Sequence, residues 1–115
     1  MKFRHILNKK VIYSENLGDE YYYDYRIIVK INNNKIVLIE YNDSGSGYIP
    51  FSVESVDKEF ISNFFDDYHN PSRKISLDID STTTLKEEID FDYYQEYLDE
   101  DIVVLKLEDI KDYIN

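Results

Sequence analysis

A chain of 115 residues with no cysteine has neither a disulfide framework nor a thiolate metal site. Its net charge of −11 opposes direct binding to DNA or RNA, where carboxylate would meet phosphate. An apolar fraction of 43% excludes global disorder, and no apolar run reaches membrane-spanning length.

These bounds fit one domain over residues 1–115, able to bury about two-thirds of its unfolded surface. The basic start MKFRHILNKKVIYSEN lacks the apolar stretch and small-residue cleavage site of a signal peptide, so a cytoplasmic protein of a bacterial cell is expected. Absent alanine, scarce Gly and Pro, and abundant Ile, Lys, Asn and Tyr mark AT-rich codons, the accent of a low-GC bacterium or its phage. Part of the count of 12 tyrosines follows from that accent. The acidity does not, because AT pressure favours lysine codons at least as strongly as those of aspartate.

In chain order, KFRHIL (2–7) alternates, Phe3, His5 and Leu7 opposite Lys2, Arg4 and Ile6, and predicts a strand. After a turn at Asn8–Lys10, Val11–Tyr13 continues that strand or pairs back on it. YYYDYRIIVKI (21–31) is the clearest strand, with Tyr21, Tyr23, Tyr25, Ile27, Val29 and Ile31 on one face. Asn32–Asn34 supply turn chemistry, and KIVLIEY (35–41), apolar on both faces, returns antiparallel as a central strand. DSGSG (43–47) predicts a second hairpin loop and YIPFSV (48–53) a third strand, at an edge or bulge because Pro50 cannot donate to a ladder.

The period changes over about 55–69, where Val56, Phe60, Phe64 and Tyr68 form an i+4 row beside Ile61 and Phe65. Ser55 is the expected N-cap, and Asn70-Pro71 the stop, of the main helix. KISLDID (74–80) predicts a strand with Ile75, Leu77 and Ile79 inward. DIVVLKL (101–107) predicts another, and EDIKDYI (108–114) a short closing helix. Between them, Thr84-Leu85-Lys86-Glu87 matches a capping box, whereas Ile89, Phe91 and Tyr93 alternate with Glu88, Asp90 and Asp92. The alternation is preferred: a short strand over 88–92, then a helical turn or two. The expected fold class is α+β, an antiparallel sheet of about five to six strands with one main helix packed on it and a short C-terminal helix.

Catalytic chemistry finds little support. No nucleophile elbow, phosphate loop, HExxH or CxxC occurs, and neither His5 nor His69 has a spaced partner. EYNDSGSG begins like a calcium loop, but loop position 12 falls on Phe51, which has no carboxylate. Carboxylate pairs are too numerous to single one out for glycosidase-type work. The expectation is a protein that is not an enzyme and carries neither cofactor nor metal.

The charge is segregated. Residues 1–76 hold 11 acids and 10 bases, a net of −1, while 77–115 hold 13 acids and 3 bases, a net of −10. KEEIDFDYYQEYLDED (86–101) carries eight carboxylates against one lysine. Uniform solubilisation does not require such segregation, although acids serve solubility well. Carboxylates at i and i+2 of a strand stand about 6.5–7 Å apart, close to the separation of successive phosphates. Asp78 with Asp80, and Glu88 with Asp90 and Asp92, would have that spacing and would suit a basic cleft built for nucleic acid. The candidate partner-binding residues are Asp78, Asp80, Glu87, Glu88, Asp90, Asp92, Tyr93, Tyr94, Glu96, Tyr97, Asp99, Glu100 and Asp101. The bases Lys2, Arg4, Lys9 and Lys10 are expected to balance neighbouring acids.

In overall type, a short, cysteine-free, strongly acidic α+β chain with these residues at 78–101 resembles the small proteins that phages use against host defences. Anti-CRISPR proteins that act as DNA mimics are the best-known group. Toxin-immunity proteins are similar in logic. The resemblance implies a stoichiometric inhibitor of a basic nucleic-acid-binding protein, such as a nuclease or Cas effector. The alternative is an immunity or adaptor protein, monomer or homodimer, that binds through the Tyr21–Tyr25 strand or a sheet edge, its acids only solvating.

Overall fold

The computed structural model describes residues 1–18, 23–43, 57–66, 70, 72–89 and 92–115. Among them, four strands form one antiparallel sheet in the order β1 (Lys10–Asn16), β2 (Tyr23–Asn32), β3 (Lys35–Asp43) and β4 (Leu105–Lys106). The α+β class stands. The expected strand at 48–53 and its loop at 43–47, Asp43 apart, lie outside the described residues, as do Ser55, His69 and Asp90.

β2 and β3 form because their alternate residues are apolar on both sides. Ile27 pairs with Ile39 and Val29 with Val37, facing one way, while Ile28 pairs with Leu38, facing the other. All six are buried. Asn32 closes the hairpin, its side-chain oxygen accepting the Asn34 N–H at 3.0 Å. A bulge after Val11 lets both Ile12 and Tyr13 turn to the second face.

Each face carries its own core. Over the first face, Phe3, Ile6, Leu85, Ile89 and Ile102 cover Val11, Ile27, Val29, Val37 and Ile39. Over the second, Phe64, Phe65, Ile75 and Ile110 cover Ile12, Ile28, Ile36 and Leu38. The molecule is therefore a sheet between two layers, and burying these large aliphatic and aromatic groups contributes about 1.5–3 kcal/mol each.

The second layer contains α1 (Lys58–Phe65) and a 3-10 helix (Leu107–Tyr113). α1 is shorter than the pattern over 55–69 predicts. Asp57 is its N-cap, accepting the Phe60 N–H at 2.9 Å, and Asp66 already has extended backbone. Phe65 stacks on Tyr113 with ring centroids 4.7 Å apart, joining the two helices.

Four further expectations are corrected. Residues 2–7 do not form a strand: Phe3–Ile6 is a 3-10 helix whose buried residues, Phe3 and Ile6, are three apart, one turn of such a helix. His5 is exposed there, its Nδ1 accepting the Lys2 N–H at 3.2 Å. Residues 74–80 make one parallel bridge, Ile75 to Ile114, and one hydrogen bond to β1, and Ile79 points to solvent at 62% exposure. The stretch 101–107 pairs in the sheet only at Leu105–Lys106, because it crosses the sheet edge: Ile102 lies in the first core and Ile110 in the second. The capping box prevails over the alternation at 88–92, giving α2 (Leu85–Glu88) followed by a 3-10 helix over Asp92–Tyr97. No helix of the described residues is long and apolar enough to cross a membrane.

Candidate protein-interaction surface

The acid-rich segment is a folded layer with one apolar side. Leu85, Ile89 and Ile102 are buried, and Tyr97 and Leu98 pack against the same core. Glu87, Glu96, Asp99, Glu100 and Asp101 are exposed, and Glu88 is half-buried. The pattern follows from solvation: apolar groups of the segment gain by covering Val29 and Val37, while unpaired carboxylates stay in water.

Two sets of contacts hold this layer in place. At its start, the Leu85 N–H donates to the Lys9 carbonyl at 2.9 Å and the Lys86 N–H to that of Leu7 at 3.0 Å. There Thr84 and Glu87 cap α2 reciprocally: the Thr84 hydroxyl oxygen accepts the Glu87 N–H at 3.3 Å, and Glu87 Oε1 accepts the Thr84 N–H at 3.1 Å. The Thr84 N–H bond, its hydroxyl and then Lys10 hold the Glu87 carboxyl below its ordinary range. At its end, the N-terminal segment pairs with residues 98–102. Phe3 N–H donates to the Glu100 carbonyl at 2.9 Å, Arg4 N–H to Leu98 at 3.1 Å, and Ile102 N–H to Met1 at 2.9 Å.

That pairing sets bases against acids. Lys2 Nζ lies 2.8 Å from Asp101, whose carboxyl it holds below the ordinary range by hydrogen bond and charge, and Arg4 pairs with Asp99. Lys10 Nζ donates to the Thr82 carbonyl at 3.3 Å. Lys2 and Arg4 thus balance neighbouring acids, as expected of bases on a chain of net −11. Among the described residues, Asp78, Asp80, Glu96 and Glu100 have no ion-pair partner.

The candidate residues are not all brought together. Glu87, Glu88, Glu96, Asp99, Glu100 and Asp101 share the first layer. Asp92, Tyr93 and Tyr94 lie in its 3-10 helix. Asp78 and Asp80 belong to a turn beside β1, where the Asp78 N–H donates to the Ile12 carbonyl at 2.8 Å. Asp78 and Glu88 nevertheless line the same shallow hollow of about 170 Å³, with Ser14 and Ser81. Glu108, Asp109 and Asp112 are carried to the opposite face by the C-terminal 3-10 helix, where Asp109 accepts the Lys106 N–H at 3.0 Å. Glu88 lies on a helix and Asp92 opens a 3-10 helix, so β-alternation does not space their carboxylates. Asp78 and Asp80 sit in a turn, where β-spacing fails as well.

A second charged group, unforeseen from the sequence, lies under α1. Arg26 pairs in register with Glu15 on one side and Glu40 on the other. Its Nη1 donates toward the carbonyls of Asn63, Phe64 and Asp66 at 2.9, 2.8 and 2.6 Å. Arg73 adds a contact of 3.4 Å to the Phe65 carbonyl and pairs with Glu15 at 2.6 Å. α1 has no base in its own last turn, and these two arginines supply the charge that its carbonyl end attracts. The Tyr13 hydroxyl donates to the same Glu15, and burial followed by that bond pushes the phenol well above its ordinary range. An arginine amid apolar strand residues was the available signal, since a charge there needs partners.

No family model, no curated protein and no solved structure matches the chain.

Proposed function

We propose that the protein is a stoichiometric inhibitor, not an enzyme, whose acidic layer docks on the nucleic-acid-binding surface of a basic bacterial protein. A CRISPR–Cas effector or another defence nuclease, met in the cytoplasm of a phage-infected cell, is the class of target. The observation that carries this reading is the two-sidedness of the described residues between 84 and 102: Leu85, Ile89 and Ile102 in the core, and Glu87, Glu96, Asp99, Glu100 and Asp101 outward on a backbone stapled at both ends. Such a layer presents fixed negative charge without the ordering cost that an acidic tail meets on binding. Complementary charge speeds encounter and sets orientation.

The alternative, an immunity or adaptor protein using the tyrosine-rich strand, draws mainly on Tyr21 and Tyr22, which lie outside the described residues. Of the described side chains, Tyr25 is half-buried against the first core.

The test uses Glu96→Lys together with Glu100→Lys, two exposed positions without ion-pair partners among the described residues. Each reversal adds two charges, taking the net from −11 to −7. The immobilised protein is challenged with bacterial lysate at low and high salt, and retained proteins are identified and assayed for nucleic-acid binding. A nuclease or other nucleic-acid-binding protein, released by salt, lost with the double variant and blocked from its nucleic acid by the wild type, is the expected result. Retention indifferent to salt and to reversal sinks the proposal.

A further inference from the structure

Ile79 is exposed by 62%, and among the described residues only it and Met1 are large apolar side chains so exposed. One exposed isoleucine is ordinary on a protein surface. Its setting is not. Ile79 occupies the turn closed by the Ser81 N–H on the Asp78 carbonyl at 3.2 Å, with exposed Asp78 before it and exposed Asp80 after it. It also lines a hollow of about 260 Å³ with Ile12, Ile36, Leu77 and Leu107, beside Lys30. That volume falls below the usual range of small-molecule sites, about 300–1,000 Å³, and suits a side chain. Ile12 also lines the neighbouring hollow that holds Asp78 and Glu88, so an apolar and an acidic depression adjoin along β1.

Resting on the reading of a basic partner, we infer that the Leu77–Asp80 turn is the apolar anchor of the interface, taking a protein segment whose apolar side chain is flanked by arginine or lysine. The apolar side chain enters the hollow beside Ile79, and the neighbouring cations meet Asp78, Asp80 and Glu88. This is the anatomy of a binding hot spot, an apolar centre inside a charged rim. Charge complementarity selects the occupant: a second copy of this acidic chain would bring carboxylate to carboxylate, whereas a basic segment relieves Asp78 and Asp80.

The test is an amide-resolved NMR titration of the full-length protein with three synthetic peptides. One has a leucine flanked by arginines, the second replaces that leucine with serine, and the third flanks the leucine with glutamates. The first peptide shifts the amides of Leu77–Ser81 and Ile12 and binds about tenfold more tightly than the second. Ile79→Ser, at an exposed position, removes that preference while the fold persists. The glutamate peptide does not bind. Equal affinity for both arginine peptides, or no response at Leu77–Ser81 with any of them, overturns the inference. In the second of those cases, shifts confined to Glu96–Asp101 leave the acidic-layer reading standing. Shifts at Leu77–Ser81 without any at Glu96–Asp101 support the anchor and count against the layer.

Discussion

The two layers that enclose the sheet use charge in opposite ways. In the first, bases at Lys2 and Arg4 meet acids at Asp101 and Asp99 on the surface, while the apolar residues below hold the layer to the sheet. In the second, Arg26 and Arg73 turn inward and bind the carbonyl end of α1, with Glu15 as counter-charge. The side chains of the Arg73–Glu15 pair are 12% and 30% exposed, those of Arg4–Asp99 49% and 84%, and this difference in solvent screening decides what each pair is worth. One layer can give up its ion pairs with little loss of stability, leaving its charge available to a partner. The other cannot.

The sharpest way to break that contrast is to truncate one arginine in each layer. Arg26→Ala leaves three carbonyls at the end of α1 without their cationic donor and is expected to cost about 2–3 kcal/mol. Arg4→Ala removes an exposed pair and is expected to cost less than about 1 kcal/mol. Urea unfolding of both variants measures the difference. Equal losses would mean that the first layer is held by its ion pairs after all, and its carboxylates would then be poorly placed to exchange partners.

A smaller effect sharpens the account of the acidic layer. Thr84→Ala removes the hydroxyl that caps α2 and is expected to cost about 1 kcal/mol. Because the folded state depresses the Glu87 carboxyl, this contact stabilises fully above the ordinary carboxylate range and is lost as pH falls through the folded value. The variant returns Glu87 toward its ordinary value, which a carboxyl-resolved NMR titration reads directly. An unmoved Glu87 in the variant would assign its shift to the backbone N–H of residue 84, the largest cause and one that alanine keeps, and then to Lys10, not to the hydroxyl.

The hairpin of β2 and β3 and the rows of α1 were legible in the sequence, because each is specified by neighbours within a few residues; the capping box was visible too, but the alternation at 88–92 was preferred to it. The failures come from patterns that fit two periods. Phe3 and Ile6 sit three apart, which a 3-10 helix satisfies, yet the intervening residues also alternate as a strand does. Ile75, Leu77 and Ile79 alternate without error, but among the described residues the segment finds only Ile12 on β1 and Tyr113 and Asn115 near the chain's end as backbone partners, not a ladder. Of the candidate surface, the concentration of acid was visible from the sequence. Its division was not: Glu108, Asp109 and Asp112 go to the far face because the chain crosses the sheet edge at Leu105–Lys106. Arg26 and the carbonyls it binds are 37 to 40 residues apart, a separation no local pattern encodes.

An effect of similar size isolates one contact of the inward-facing network. Burial and the bond to Glu15 keep the Tyr13 phenol protonated beyond the pH at which a free tyrosine ionises, about 10. A folded state that prefers the protonated phenol is stabilised fully below that value. The contribution is lost as pH rises from there toward the folded value, since only the unfolded chain has released its proton. Tyr13→Phe removes this dependence, with a loss of about 0.5–1.5 kcal/mol at neutral pH for the hydrogen bond. The other tyrosines are common to both proteins and cancel in the comparison. Wild type should therefore lose melting temperature more steeply than the variant above about pH 10. Parallel curves would mean that Glu15 is held by Arg73 alone, and the phenol would then be a packing group in a network whose charge is already satisfied.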